Sequence, residues 1–251
     1  MNILLCNDDG IYAPGIRVLY EALEGLGSLH VIAPETEMSA VGHAITISSP
    51  LRSKEVHRGG QFFGYGVSGT PADCVKLAMS QLLESPPDLV VSGVNQGPNA
   101  GISILYSGTV SGATEGAILG IPSIAFSINS FESPCWETAT TIARRVVQHA
   151  STHSFPRGCV LNVNIPNLPI DEIKGMRVVP MAASRYVEQF DERIDPRGNT
   201  YYWVTGHLEV SPDAPEASDV SCLRDGYVTL TPISFDLTNH GECSQFETWS
   251  L

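Results

Sequence analysis

Two aspartates stand side by side at the end of the first apolar run. In MNILLCNDDGIYAPGI, Asp8 and Asp9 follow Asn7 and precede Gly10. Burying an ionised carboxylate is costly unless something compensates it, and two neighbours also repel each other. They belong either in a solvated Asp-Gly turn or around a shared cation. Carboxylate oxygens select hard cations such as Mg²⁺ or Mn²⁺. If this run is a strand of an open α/β sheet, the acids lie at its C-terminal edge, where such sheets bind ligands.

Three further stretches carry groups of related chemistry. VVSGVNQGPNAG places Asn95 and Asn99 among Gly93, Gly97 and Gly101. Amide oxygens complete hard-cation shells, and glycine lets backbone approach a ligand, although Asn/Gly loops are also common without one. PETEMSAVGHA offers Ser39, a neutral oxygen ligand, and His43, for which a structural part is the plainer reading. YSGTVSGATEGAILG puts Ser107, Gly108 and Thr109 at a helix start, where hydroxyls, free N–H groups and the helix dipole favour an anion. The lysine of a Walker loop is missing there. Gly108, Gly112, Gly116 and Gly120 recur every four residues, each costing a helix about 1 kcal/mol against alanine. That cost implies a flat ridge for close packing on the sheet. GYGVSG (Gly64, Gly66, Gly69) fits G-x-G-x-x-G, but it precedes Thr70-Pro71, so a turn and helix entry is the better reading.

Alternating elements must hold these groups in place. Apolar runs predict strands at 2–6, 29–33, 88–92, 123–127 and 159–165. Helical spacing predicts helices at 15–26, 71–83, 109–119 and 134–150. Such alternation implies a parallel sheet covered by helices on both faces. HAITISSPLR and GGQFFGYGV read as short β pieces in an excursion. Beyond residue 170 the pattern changes. MRVVPM reads as a strand, and SRYVEQF and TYYWVTG read as a hairpin around DPRGN. VSPDAPEASD reads as a loop, and GYVTLTPISFDL as a strand pair or a broken strand. Phe246 and Trp249 sit on a short tail that, like the hairpin, needs a surface to pack on, either its own domain or a neighbouring subunit. Tyr201, Tyr202 and Trp203 can stack on a base if the hairpin reaches a pocket; core packing is the preferred reading.

Bulk properties narrow the partners. The chain has 251 residues, 43% hydrophobic and 16% charged, enough for a substantial core. A formal charge of −13 argues against a nucleic-acid polymer or an anionic membrane as main partner, but not against a small phosphate ligand. No apolar run reaches the ~18–20 residues of a membrane span, and no export segment is expected ahead of ILLC. Six cysteines without a C-x-x-C pair read as reduced core thiols of a cytoplasmic protein.

ILLCNDDGIYAPGI, APETEMSAVGHAIT, VSGTPADCV, DLVVSGVNQGPNAG and YSGTVSGATEGAILGIPSIAFS, in this order, resemble the SurE (survival protein E) nucleotidase family. NVNIP, RYVEQFDERIDPRGNTYYW and DGYVTLTP extend the likeness, while the last dozen residues carry none of it. The resemblance implies a divalent-metal phosphomonoesterase acting on nucleoside 5′- or 3′-monophosphates. It implies one Mg²⁺ or Mn²⁺ per subunit on Asp8, Asp9, Ser39 and Asn95, and phosphate contacts at Ser107, Gly108 and Thr109. It also implies a single domain over 1–251. Residues 1–175 would form a Rossmann-like three-layer α/β core with a mostly parallel sheet. Residues 176–251 would form a hairpin and tail exchanged between subunits of a homodimer or homotetramer.

In the expected chemistry the ion polarises the phosphoryl group, Asn95 joins the helix terminus in holding the phosphate, and Asp8 or Asp9 serves the water. A covalent aspartyl-phosphate route of the haloacid-dehalogenase kind needs Asp-x-Asp, and that register reads Asn7-Asp8-Asp9. Two rivals remain. The first is a non-catalytic nucleotide-binding regulatory module, which gains nothing from twin acids unless a metal neutralises them. The second is a metal-dependent hydrolase of other esters, which has no use for a phosphate cradle.

Overall fold

A computed structural model describes residues 1–249. In chain order the elements are β1 (Asn2–Cys6), α1 (Pro14–Leu23), β2 (Ser28–Pro34), β3 (Ser53–Arg58), β4 (Gln61–Val67) and α2 (Pro71–Leu77). Next come β5 (Leu89–Gln96), α3 (Gly108–Ile118), β6 (Ser123–Ile128), α4 (Trp136–Ala150) and β7 (Cys159–Ile165). The chain continues with β8 (Met176–Val178), β9 (Ser184–Ile194), β10 (Thr200–Val210), α5 (Asp219–Arg224), β11 (Val228–Ser234) and α6 (Cys243–Glu247).

Nine strands form one sheet in the order β3-β4-β2-β1-β5-β6-β7-β11-β8. From β4 to β7 every neighbouring pair is parallel, while β3 and β11 run antiparallel to β4 and β7. The chain works outward from β1 on one side, then returns to β5 on the other. The reversal opens a crevice between the C-terminal ends of β1 and β5.

Why β1 sits in the interior of the sheet is legible in its side chains. Ile3 and Leu5 bury toward α1 and α4, with Ile16, Leu19 and Ile142. Leu4 and Cys6 bury toward α2, with Cys74, Val75 and Ala78. A strand covered on both faces reads as an unbroken apolar run rather than an alternating one. α2 starts at a capping box in which Thr70 accepts from the Asp73 N–H and Asp73 accepts from the Thr70 N–H, with Pro71 at the first position.

Several expectations change. HAITISSPLR is irregular, and β3 begins only at Ser53. The polar groups of that stretch serve the start of α2: Thr46 donates from both N–H and hydroxyl to Asp73, and Thr70 donates to the Ala44 carbonyl at 2.7 Å. The strand expected at 88–92 runs on to Gln96 through a register shift between Ser92 and Asn95. Helix α5 follows directly on the expected loop VSPDAPEASD, in a stretch for which no element was expected, started by a capping box of Ser218 and Ser221. GYVTLTPISFDL yields one strand, β11, antiparallel to β7; Pro232 lies beyond Leu230, the last residue that β8 pairs. Thus β8 and β11, both beyond residue 175, complete the main sheet.

The hairpin β9–β10 pairs eleven residues on each strand around the turn at 195–199 and forms a sheet of its own. Tyr202, Trp203 and Val204 stand 57%, 59% and 62% exposed on it, so they are not core residues of this chain. The tail aromatics Phe246 and Trp249 pack edge to face on each other and remain exposed.

Candidate active site

β1 delivers the acids. Gly10 takes φ +100°, a conformation that favours glycine, and turns the chain directly after Asp9. The Asn7 amide and the Ala13 N–H both donate to the Gly10 carbonyl at 3.0 Å, closing that turn. Asp8 is left 4% exposed. The Met38 N–H donates to the Asp8 carbonyl at 2.7 Å, which straps the loop after β2, with Ser39, onto the acid segment.

β5 delivers the amide. Asn95 lies just past the register shift, and its Nδ2 donates to the Gly97 carbonyl at 2.8 Å. The atom that Asn95 has left to offer is therefore its carboxamide oxygen. Asp8, Ser39, Asn95 and Ser107 line one cleft of about 210 Å³ at the crevice between β1 and β5. Asp9 lies beside it, half-buried, near the Gln96 N–H.

α3 closes the third side. Ser107 is its N-cap and accepts from the Val110 N–H at 3.1 Å. The Thr109 hydroxyl donates to Asp8 Oδ1, so this fully buried side chain holds the acid while the helix terminus faces the cleft through Ser107. The glycine ridge is real at three of its four positions. A Cβ at Gly108 would meet Asp8, one at Gly112 would lie 3.1 Å from Ser92 Oγ, and one at Gly116 would lie 2.7 Å from Val90 Cγ2. Gly120 plays another part: it takes φ +84° after the helix end, with nothing within 4 Å of a Cβ.

The electrostatics are those of acids short of a counter-charge. Burial pushes the Asp8 carboxyl up, against the opposing hydrogen bonds of Thr109. Burial, then the charges of Asp8 and Glu37, raise Asp9 to about 7. The donor set at the cleft is two carboxylates, a hydroxyl and a carboxamide oxygen, all hard oxygen ligands. It fits Mg²⁺ or Mn²⁺ and suits a soft ion poorly. Among the described residues no group of three or more His, Cys, Asp or Glu is placed to hold an ion, so any cation at the acid pair would draw on neutral oxygens too.

Two groups from the sequence reading go elsewhere. His43 binds Glu115 Oε2 at 2.9 Å, and Lys76 binds Glu115 Oε1 at 2.6 Å, so His43 anchors its loop to α3. Asn99 reaches the cleft wall but spends its polar groups on neighbouring strands. It donates from its N–H to Asn164 Oδ1 and from its amide to Ser127 Oγ, both at 2.8 Å. Sequence alone marks neither Glu37, which accepts a hydrogen bond from the Ser39 hydroxyl at 2.7 Å, nor Tyr106 and Phe131, the aromatic residues of the cleft wall. Neither Tyr201, Tyr202 nor Trp203 lines that cleft. A larger cavity of about 370 Å³ near the end of α4 is walled by Val146, Phe155, Leu161 and Met176 and has no carboxylate.

Comparison with known proteins places the chain as a whole. The family model described as survival protein SurE matches residues 3–188. A protein named 5′-nucleotidase SurE from Syntrophobacter fumaroxidans is 49% identical over the whole of both chains. Another of that name, from Carboxydothermus hydrogenoformans, is 46% identical over 99% of this chain and 96% of its own. The crystal structure of a SurE protein from Aquifex aeolicus superposes with a TM-score of 0.85 at 43% identity, covering 98% of each chain. With a family match that spans β1, β5 and α3 and relatives that match over nearly their whole length, this chain belongs to the SurE family.

Proposed function

We infer that this chain is a metal-dependent phosphomonoesterase that releases phosphate from nucleoside 5′-monophosphates, and from 3′-monophosphates as a second class. One observation carries the reading. The buried Asp8 lies against the N-terminus of α3, so an acid suited to a cation adjoins a terminus suited to an anion. A phosphate pocket gains from carboxylates only when a cation stands between them. The nucleotide as substrate is supported by the name that the relatives bear.

Asp8, Asp9, Ser39 and Asn95 would hold one Mg²⁺ or Mn²⁺ per subunit. When bound, the ion supplies Lewis-acid polarisation of the phosphoryl group and of water. The chain supplies the rest. Ser107, Gly108 and Thr109 present the start of α3, with its dipole, to the non-bridging oxygens, and Asn95 assists. Asp8 or Asp9 orients the attacking water and accepts its proton.

The projecting hairpin and aromatic tail support assembly through a second copy, as homodimer or homotetramer, since a two-stranded sheet is marginal alone. Among the described residues no helix is long and apolar enough to cross a membrane. The six free cysteines favour a reducing cytoplasm.

Phosphate release from a panel of nucleoside monophosphates tests the reading. Activity is expected with Mn²⁺ or Mg²⁺, lost in EDTA and restored by metal, and nearly abolished in Asp8→Asn. Absence of release from every nucleotide with either metal sinks it.

A further inference from the structure

The mouth of the cleft is aromatic. Tyr106 and Phe131 line it, yet stand 56% and 76% exposed. Large rings are worth most when buried, so two left open at the rim of an otherwise polar cleft are surfaces awaiting a flat partner.

Both residues sit on segments that belong to the site. Phe131 lies on Gly97, where a Cβ would come 2.9 Å from the ring's Cζ. The Gly97 carbonyl is the one that orients Asn95, and the Phe131 carbonyl accepts from Gln96 Nε2 at 3.4 Å. Tyr106 directly precedes Ser107, the cap of α3. Its carbonyl accepts from the Gly42 N–H at 3.1 Å, which joins it to the loop of Ser39. The backbone of each residue is therefore tied to the segments that carry the acids and the helix terminus, while more than half of each side chain stays exposed. A nucleotide whose phosphate rests at Ser107 would carry its sugar and base into the same cleft that these rings line.

We propose that Tyr106 and Phe131 form the platform on which the nucleobase of the substrate stacks. The proposal rests on the nucleotidase reading above and names its base site. Stacking reads the face of a base rather than its edge, so it accepts any base and favours substrates that carry one.

The test compares AMP with ribose 5-phosphate, which lacks the base, in the parent, Phe131→Ala and Tyr106→Ala. The ratio of kcat/KM for AMP to that for ribose 5-phosphate is expected to fall on the order of tenfold in each alanine variant, mainly through KM. Phe131→Tyr, which keeps the ring, is expected to preserve the ratio. Adenosine binding by calorimetry gives a readout that needs no turnover, and it is expected to weaken by a similar factor in both alanine variants. An unchanged ratio together with unchanged adenosine affinity overturns the platform. A parent that releases no phosphate but binds adenosine in a Phe131-dependent way removes the enzyme reading and leaves the platform standing.

Discussion

A Cβ built on Gly108 would lie 2.6 Å from the Cβ of Asp8 and 2.8 Å from its Oδ2. The first turn of α3 thus rests directly on the acid, and no larger residue fits between them. Gly108→Ala is expected to move one or the other by a sizeable fraction of an ångström. Misplacement on the scale of ~1 Å costs catalysis about 10²-fold. Steady-state kinetics on AMP should show that loss in kcat, and a variant as fast as the parent would mean the contact has slack.

Thr109 acts on the other oxygen of the same carboxylate. Thr109→Val keeps the shape and removes the hydroxyl, leaving a buried acceptor short of a donor, at about 1–3 kcal/mol. Urea unfolding in EDTA is expected to show that loss, whereas Thr109→Ser should recover most of it. Equal stability of all three proteins would mean the hydroxyl does nothing for Asp8.

Glu115 supplies a pH dependence. Burial alone would raise its carboxyl, but hydrogen bonds from His43 and Lys76, and their charges, hold it below the usual range. Its folded pKa is thus lower than its unfolded one, ~4.3. The stability this gives is complete above the unfolded value and drains away as pH falls through the folded one. Urea midpoints taken from pH 6 down to 3.5 are expected to drop more steeply in the parent than in Glu115→Gln. Parallel curves would remove the ion pairs from the account. Asp73 contributes the same sign through Thr46 and Thr70, so part of the slope survives in the variant.

Asp219 ties the extension to the core. Its carboxylate accepts from the Gly101, Ala182 and Val220 N–H groups, each at 2.8 Å. Asp219→Ala leaves buried backbone donors unmatched, with an expected cost of at least ~3 kcal/mol by chemical denaturation. Asp219→Asn, with one acceptor oxygen, should fall between. An alanine variant within ~0.5 kcal/mol of the parent, the range of ordinary surface changes, would show that the loops hold without it.

How far these relationships can be read from sequence depends on how local they are. The run Ile3–Cys6, the Thr70-Pro71 cap and the four-residue glycine spacing each announce themselves, because the pattern each leaves in the sequence spans a short stretch even where its cause is distant. The overrun of β5 to Gln96 does not, since Gly93 and Asn95 break the apolar pattern and only pairing with β6 carries the strand on. Asn99 looked like a ligand because nothing nearby reveals Asn162 and Asn164, whose side chains donate to its carbonyl from β7. The acid pair was legible, but not the Thr109 hydroxyl beneath it, about a hundred positions away. Tyr106 and Phe131 passed unnoticed because sequence gives an aromatic residue no mark of exposure.

The bond from the Met38 N–H to the Asp8 carbonyl joins two main chains. Any residue but proline can make it, so the identity of the side chain at 38 is irrelevant to the join. The Ser39 loop can then diverge in sequence, changing what the cleft admits, while its distance from the aspartates stays put. Proline at 38 is the change that would let the loop drift.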